Sequence, residues 1–282
     1  MFNNEHSTVL VFLCWSHSEP DIVSAMYSLF LRGPACFGLS LSLFACGATP
    51  ETSAPEAAVA EQTTEAPTAI FAVSSTSWVD GGTIPHANAF CIPAEEGHVG
   101  LGTNVNPALA WTDAPEGTKS FAIVMRDPDV PSKMDDVNQE GKTVASDLER
   151  STFVHWLLVD VPVSSTGMEA GADSDSITPK GKPPGPSAAG NRGINDYTKW
   201  FAADKNMAGN YGGYDGPCPP WNDERVHNYV TTVYALDVET LEVNANFTLD
   251  VMSTAMEGHV LAEASITGQY SLNPSVTVPA AQ

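Results

Sequence analysis

Residues 213–238 read "GYDGPCPPWNDERVHNYVTTVYALDV". The second half of this stretch is rich in apolar, β-branched and aromatic residues, so it predicts a strand over 228–238. The first half places two glycines and three prolines around Cys218. Prolines fix φ and reduce the entropy that is lost on folding. The chain therefore enters this strand through an unusually stiff loop.

Five further segments have the same strand-like character. Each is short, apolar or alternating, and bounded by Pro, Gly, Asp or Asn; they are 71–78, 107–111, 119–127, 153–162 and 264–272. Several are continuous apolar runs, as expected of strands that are covered on both faces. No alternation of strands with helices is visible, so the pattern predicts a mostly β protein, a β-sandwich with peripheral helices.

Helices are few in this sequence. The segment "TLDVMSTAMEGHV" (248–260) places Leu249, Met252, Met256 and Val260 on one stripe, with Thr248 as the N-cap. We interpret the methionines as core packing. Polar insertions at 132–151 and 163–212 are predicted to be surface loops, with a helical turn near "YTKWFAADKN" (197–206).

The first 69 residues do not have the composition of a domain. Residues 26–45 have a positive start at Arg32 and a short apolar run, which is typical of a signal peptide, and Cys46 follows as a candidate lipidation site. Either a lipoprotein or plain secretion fits this layout. Residues 1–25 fit neither a signal nor a domain, so we hypothesise that Met26 is the true start. Residues 46–69 predict a disordered acidic tether.

The folded domain is predicted to span 70–276, followed by a tail at 277–282. The formal net charge of −22 argues against nucleic acid as a partner, because phosphate backbones require a basic surface. We expect an exported protein that is periplasmic or anchored as a lipoprotein, and that contacts a membrane only through a lipid anchor. Cys91 and Cys218 form an even pair in that compartment, either as a disulfide or as two buried thiols.

Polar residues interrupt the predicted strands at four places. Asp127 and Asp129 follow an apolar strand, His155 lies inside an apolar run, and His227 and Tyr229 begin another strand after the proline loop. Each of these is compatible with an ordinary turn, loop or buried histidine. Together they indicate that two histidines and two carboxylates converge at one rim of the sandwich.

These segments resemble one family. "FAIVMRDPDVPS", "FVHWLLVDVP" and the stretch quoted at the outset, with "VLAEASITGQY" near the end, are similar to the phosphatidylethanolamine-binding protein family and to its bacterial Raf-kinase-inhibitor-like branch. The resemblance runs from roughly 76 to 273. It implies a β-sandwich around a large central sheet with small helices, and a small pocket for phosphate-like anions or phospholipid head groups.

The resemblance also assigns site residues. It implies a ligand-binding set of Asp127, Asp129, His155, Gly216, Pro217, Cys218, Pro219, Pro220, His227 and Tyr229. We expect histidine N–H groups to hold the anion and an aspartate to raise a histidine pKa. His227 is expected at the rim, where its loss would cost binding and little stability.

The expected function is an exported binding module for a small anionic ligand, with no catalytic residue, metal or cofactor. One alternative is a protein partner, as an inhibitor of a periplasmic protease. A hydrolase with a histidine–aspartate base is the third possibility, although no "GxSxG" motif is present.

Overall fold

A computed structural model describes residues 69–278. The predictions of a start at Met26, a signal peptide, lipidation at Cys46 and an acidic tether fall on residues 1–68, outside the described part. Within 69–278, no helix is long and apolar enough to cross a membrane.

Twelve strands make up most of the regular structure of the described part. They are β1 (Ala72–Ser75), β2 (Gly82–Thr83), β3 (Cys91–Pro93), β4 (Val99–Leu101), β5 (Leu109–Thr112), β6 (Ser120–Pro131), β7 (Arg150–Pro162), β8 (Gly167–Met168), β9 (Gly185–Pro186), β10 (Asn191–Arg192), β11 (His227–Leu236) and β12 (Val260–Tyr270). The helices are short: α1 (Tyr197–Trp200), α2 (Leu249–Met256) and a 3-10 turn at His86–Asn88. All six predicted strands are present, and α1 lies where the helical turn was expected.

The strands form one large sheet and two small ones. The large sheet has the order β2-β12-β11-β6-β7-β10-β9, and its four inner pairings from β12 to β10 are antiparallel. A three-stranded sheet has the order β1-β5-β8, and β3 pairs with β4. This arrangement confirms the mostly β fold with a large central sheet and small helices.

Both faces of the large sheet are buried, as the apolar runs predicted. Phe121, Ile123 and Met125 of β6 belong to the larger core cluster, which also includes Trp111 of β5 in the small sheet. The intervening Ala122 and Val124 belong to a second cluster on the opposite face, with Met252 and Met256 of α2. The period-two alternation of a strand therefore supplies two cores at once. The methionine stripe is core packing, as interpreted.

The predicted helix ends earlier than its apolar stripe suggested. α2 stops at Met256, and Val260 begins β12, where its side chain is 39% exposed. Gly258 follows the helix at a φ of +79°, a conformation that suits glycine at a helix end. Thr248 occupies the N-cap position, but its side chain makes no capping hydrogen bond.

Two β-bulges lie where β6 and β7 approach the candidate site. Met125 pairs with Trp156 and Arg126 pairs with Val154, so His155 is an extra residue on β7. Further along, Asp127 pairs with Phe153 and Val130 with Ser151, which leaves one extra residue at Pro128–Asp129 on β6. Bulges of this kind redirect side chains. The strand that was predicted to end at Asp127 instead continues through its bulge to Pro131.

Candidate functional site

A small cleft lies at one end of the large sheet, where β6 ends and β7 and β11 begin. Its cavity volume is about 30 Å³, which accommodates a few water-sized groups at most. The residues that line it are Asp127, Val130, Pro131, Met134, Phe153, His155, Tyr197, Trp200, Cys218, Pro219, Pro220, His227 and Tyr229. The structure therefore brings together seven of the ten predicted site residues: Asp127, His155, Cys218, Pro219, Pro220, His227 and Tyr229.

His227 is held between two carboxylates. Its Nδ1 lies 2.7 Å from Asp127 Oδ2, and its Nε2 lies 3.1 Å from Asp223 Oδ2. Burial lowers the pKa of His227, but Asp127 and then Asp223 outweigh that effect and raise the pKa to about 9. At neutral pH the ring is an imidazolium whose two N–H groups both donate to aspartates.

This geometry corrects the expectation for His227. The side chain is fully buried rather than at a rim, and neither N–H group is left over for an anion. The expected effect of an aspartate on a histidine pKa agrees with this geometry, in which two aspartates rather than one contact the ring. Removing this histidine would leave two buried carboxylates poorly compensated, so its loss should affect stability as well.

Asp223 joins the cleft to a buried arginine. Arg150, at the start of β7, donates from Nη1 and Nη2 to the two oxygens of Asp223. Its Nη1 also donates to the Asp129 carbonyl oxygen at 2.9 Å. Burial raises the pKa of Asp223, but His227 and then Arg150 lower it overall. The stretch between Pro220 and His227 thus supplies the second carboxylate that orients His227.

His155 lies opposite in a different electrostatic state. Its Nδ1 donates to the carbonyl oxygen of Asp215 at 2.8 Å, and its own carbonyl accepts the Asp215 N–H at 2.9 Å. Desolvation by burial lowers the pKa of His155, despite the opposing effect of Asp127. The ring is therefore neutral at pH 7, with its proton on Nδ1 and Nε2 available as an acceptor.

Tyr229 lies between the two histidines. Its ring meets His155 edge-on at a centroid distance of 5.1 Å and is 6.4 Å from the His227 ring. The hydroxyl is fully buried. It makes no hydrogen bond of ordinary length within residues 69–278, although a longer contact with the Asp127 carboxylate contributes to its raised pKa. Burial, followed by the charge of Asp127, raises the pKa of Tyr229 well above its ordinary value, so the hydroxyl keeps its proton.

Asp129 does not line the cleft. Its carboxylate accepts hydrogen bonds from the backbone and side-chain N–H groups of Asn228, both at 2.9 Å, and pairs with Arg225 at 3.1 Å. The bulge at Pro128–Asp129 separates the two acidic side chains, and the Asp129 N–H donates to Asp127 Oδ1 at 2.8 Å. Asp129 therefore braces the start of β11 rather than facing a ligand.

Gly216 and Pro217 stand behind the cleft wall and do not line it. The Gly216 N–H donates to Asn104 Oδ1 at 2.8 Å, and the Gly216 carbonyl accepts the Tyr197 hydroxyl at 2.7 Å. A Cβ on Gly216 would lie 2.1 Å from the Asn88 carbonyl oxygen, so only glycine fits there. The Pro217 carbonyl accepts the N–H groups of Phe90 and Cys91.

A disulfide fixes the same loop. Cys91 of β3 and Cys218 are bridged, with a Cα–Cα distance of 4.7 Å. The two cysteines therefore form a disulfide and are not two buried thiols. Because Cys218 lines the cleft, the bridge attaches the cleft wall to the edge of the small β3–β4 sheet.

Several cleft residues had no assigned role in the sequence. They are Val130, Pro131, Met134, Phe153, Tyr197 and Trp200. Asp223 was also missed, although its position four residues before His227 in an acidic turn was a usable signal. Tyr197 and Trp200 reach the cleft through α1, and nothing in the local pattern showed where that loop would dock.

Comparisons with known proteins agree on one family. A family model described as "Phosphatidylethanolamine-binding protein" matches residues 74–271. A UPF0098 protein of Methanothermobacter thermautotrophicus is 31% identical over 169 residues, which cover 60% of this chain and 84% of the relative. The UPF0098 protein YbhB of Escherichia coli is 29% identical over 192 residues, covering 68% of this chain and 94% of YbhB.

A solved structure supports the same assignment. The crystal structure of Escherichia coli YbcL, described as a new member of the mammalian PEBP family, is 26% identical with a TM-score of 0.51. The match covers 72% of this chain and 99% of YbcL. The family model alone spans well over half of the chain. This chain therefore belongs to the phosphatidylethanolamine-binding protein family.

Proposed function

We propose that this protein binds a small, singly charged anionic group, such as a phosphate monoester that is either free or the head group of a lipid, in the cleft beside His155 and Tyr229. The observation that carries the proposal is the hydroxyl of Tyr229, a residue that lines the cleft: it is buried and makes no hydrogen bond of ordinary length among the described residues. Buried polar groups nearly always have a hydrogen-bond partner, and an unpaired one calls for a ligand or water. A ligand oxygen would satisfy it.

The protonation states favour a ligand that both accepts and donates. Tyr229 remains protonated and donates, whereas neutral His155 offers Nε2 as an acceptor. A phosphate monoanion complements this pair, because it carries P–O⁻ oxygens and one P–OH group. A dianion would bring no donor for His155 and would face the carboxylate of Asp127.

The hydrogen bonds of both His227 ring nitrogens to aspartates support a binding function rather than catalysis. A general base requires a free nitrogen near the reacting proton. Both nitrogens of His227 are held by carboxylates, and its raised pKa keeps it protonated at neutral pH. We therefore assign His227 and its two aspartates the role of fixing the cleft and balancing its charge.

Calorimetric titration of the full chain with methyl phosphate tests this function. We expect binding to be stronger at pH 5.5 than at pH 8, because phosphate monoesters lose their second proton near pH 6. Tyr229→Phe should weaken binding by about tenfold through loss of one hydrogen bond to a charged group. It should leave stability unchanged or slightly higher, since the hydroxyl makes no hydrogen bond of ordinary length in the described part.

The matched control is Tyr234→Phe, on the same strand and packed against the other core. This variant should bind like the wild type. Equal affinity for Tyr229→Phe and the wild type, or stronger binding at pH 8, would contradict the proposal.

The module is also proposed to act outside the cytoplasm. The disulfide supports this, because such bridges persist mainly in oxidising compartments, and the apolar run before Cys46 points in the same direction. Fractionation of cells that produce the full chain tests it, and recovery of the protein in the cytoplasm would contradict it.

A further inference from the structure

One wall of the cleft is apolar and aromatic. Beyond the histidines and Tyr229, the lining consists of Val130, Pro131, Met134, Phe153, Tyr197 and Trp200, together with the proline loop. The Phe153 and Trp200 rings are partly buried and meet edge-to-face, with centroids 6.5 Å apart. A purely anionic ligand would gain little from contact with this apolar surface.

Trp200 is held in place through α1. Asp196, directly before α1, donates its N–H to the Val154 carbonyl at 2.9 Å and accepts the Val154 N–H through Oδ2 at 2.8 Å. Tyr197 stacks on Phe90 at a centroid distance of 4.6 Å and donates its hydroxyl to the Gly216 carbonyl. The helix is therefore fastened to β7 on one side and to the proline loop on the other.

The cleft is small and partly open to solvent, and Phe153 and Trp200 belong to its lining. The substituent of an ester bound at Tyr229 would therefore extend past this aromatic part of the lining. Aromatic faces favour apolar or aromatic groups there.

We propose that Trp200 is a specificity-determining residue, which selects phosphate monoesters of apolar alcohols over inorganic phosphate. This inference rests on the proposed function, because it concerns the same cleft. The head group would be recognised by Tyr229 and His155, and the apolar substituent by Trp200 and Phe153.

The test compares inorganic phosphate with phenyl phosphate at pH 5.5, by calorimetric titration of the full chain. The wild type should bind phenyl phosphate about tenfold more tightly than inorganic phosphate, the size of effect expected from one aromatic contact. Trp200→Ala should lose this preference while keeping its affinity for inorganic phosphate. That retained affinity also shows that the variant is folded.

The control is Trp221→Ala, because Trp221 is a partly buried tryptophan that stacks on His98 and does not line the cleft. This variant should keep the tenfold preference. A wild type that binds the two ligands equally, or a Trp200→Ala variant that keeps the preference, overturns the role of Trp200 and leaves phosphate binding intact. If neither ligand binds to the wild type, the proposed function fails and this inference fails with it.

Discussion

Replacing His227 with glutamine should remove a pH-dependent part of the stability of this protein. Asp127 and Asp223 outweigh the effect of burial and raise the pKa of His227 from 6.5 to about 9. Each tenfold change in a proton-binding constant corresponds to about 1.36 kcal/mol, so the difference between 9 and 6.5 amounts to roughly 3 kcal/mol. Solvent screening does not reduce this figure, because the side chain is fully buried.

The sign follows from the direction of the shift. A histidine with a raised pKa in the folded state stabilises the fold fully below the unfolded pKa of about 6.5, and this contribution is lost as the pH rises through about 9. Urea denaturation at pH 6.5, 8 and 9.5 measures it. Between the first and last pH values, the free energy of unfolding of the wild type should fall by about 3 kcal/mol more than that of His227→Gln.

The control for this experiment is His259→Gln, because His259 also pairs with an aspartate but is 42% exposed. That variant should follow the wild-type pH profile. If the free energies of the wild type and His227→Gln change in parallel with pH, the carboxylates do not hold His227 in its charged form, and the reasoning fails.

Two further predictions concern the loop that carries Cys218. Replacing both Cys91 and Cys218 with serine should lower the free energy of unfolding by up to about 5 kcal/mol, since the bridge spans 127 residues. Urea denaturation of this variant, and of the wild type with and without reductant, measures the effect. A variant with the same urea midpoint as the oxidised wild type would contradict the prediction. Gly216→Ala should destabilise the fold by about 1–3 kcal/mol and weaken methyl phosphate binding, because its Cβ would meet the Asn88 carbonyl oxygen at 2.1 Å. Gly100→Ala is the control, because its Cβ meets its nearest neighbour at an ordinary 3.5 Å. Equal stability of the two variants would show that the loop around Gly216 can shift to accommodate the Cβ, and would contradict the prediction.

The strands were predictable because their signal is local. The apolar runs around Val124 and Leu157 are buried on both faces, and that burial was visible as missing alternation in the sequence. The helix at 249–256 was also predictable, but its end was not. Val260 continues the apolar stripe, and only the turn at Gly258 and the pairing of β12 show that the chain has already become a strand.

The site was predictable as a set of residues but not as a geometry. The convergence of His155 and His227 was indicated by polar residues that interrupt or begin apolar strands, and the family resemblance added Tyr229. The separation of Asp129 from Asp127 depends on a bulge, which no periodicity signals. Likewise, the burial of His227 depends on Asp223 and Arg150, residues from two distant segments whose pairing only the fold establishes.

The extra residue at His155 also bears on how such a site is gained or lost in evolution. Val154 and Trp156 belong to opposite cores. Residues two positions apart in a regular strand share a face, so this arrangement depends on the bulge at His155. Deletion of the His155 codon itself would restore the regular pleat, because Val154 and Trp156 would then be neighbours on opposite faces and would keep their places in the two cores. The sheet would then persist without the imidazole that faces the cleft. A descendant protein could therefore lose ligand binding and keep its fold through a change in length at this point of β7, more readily than through substitution of any single residue.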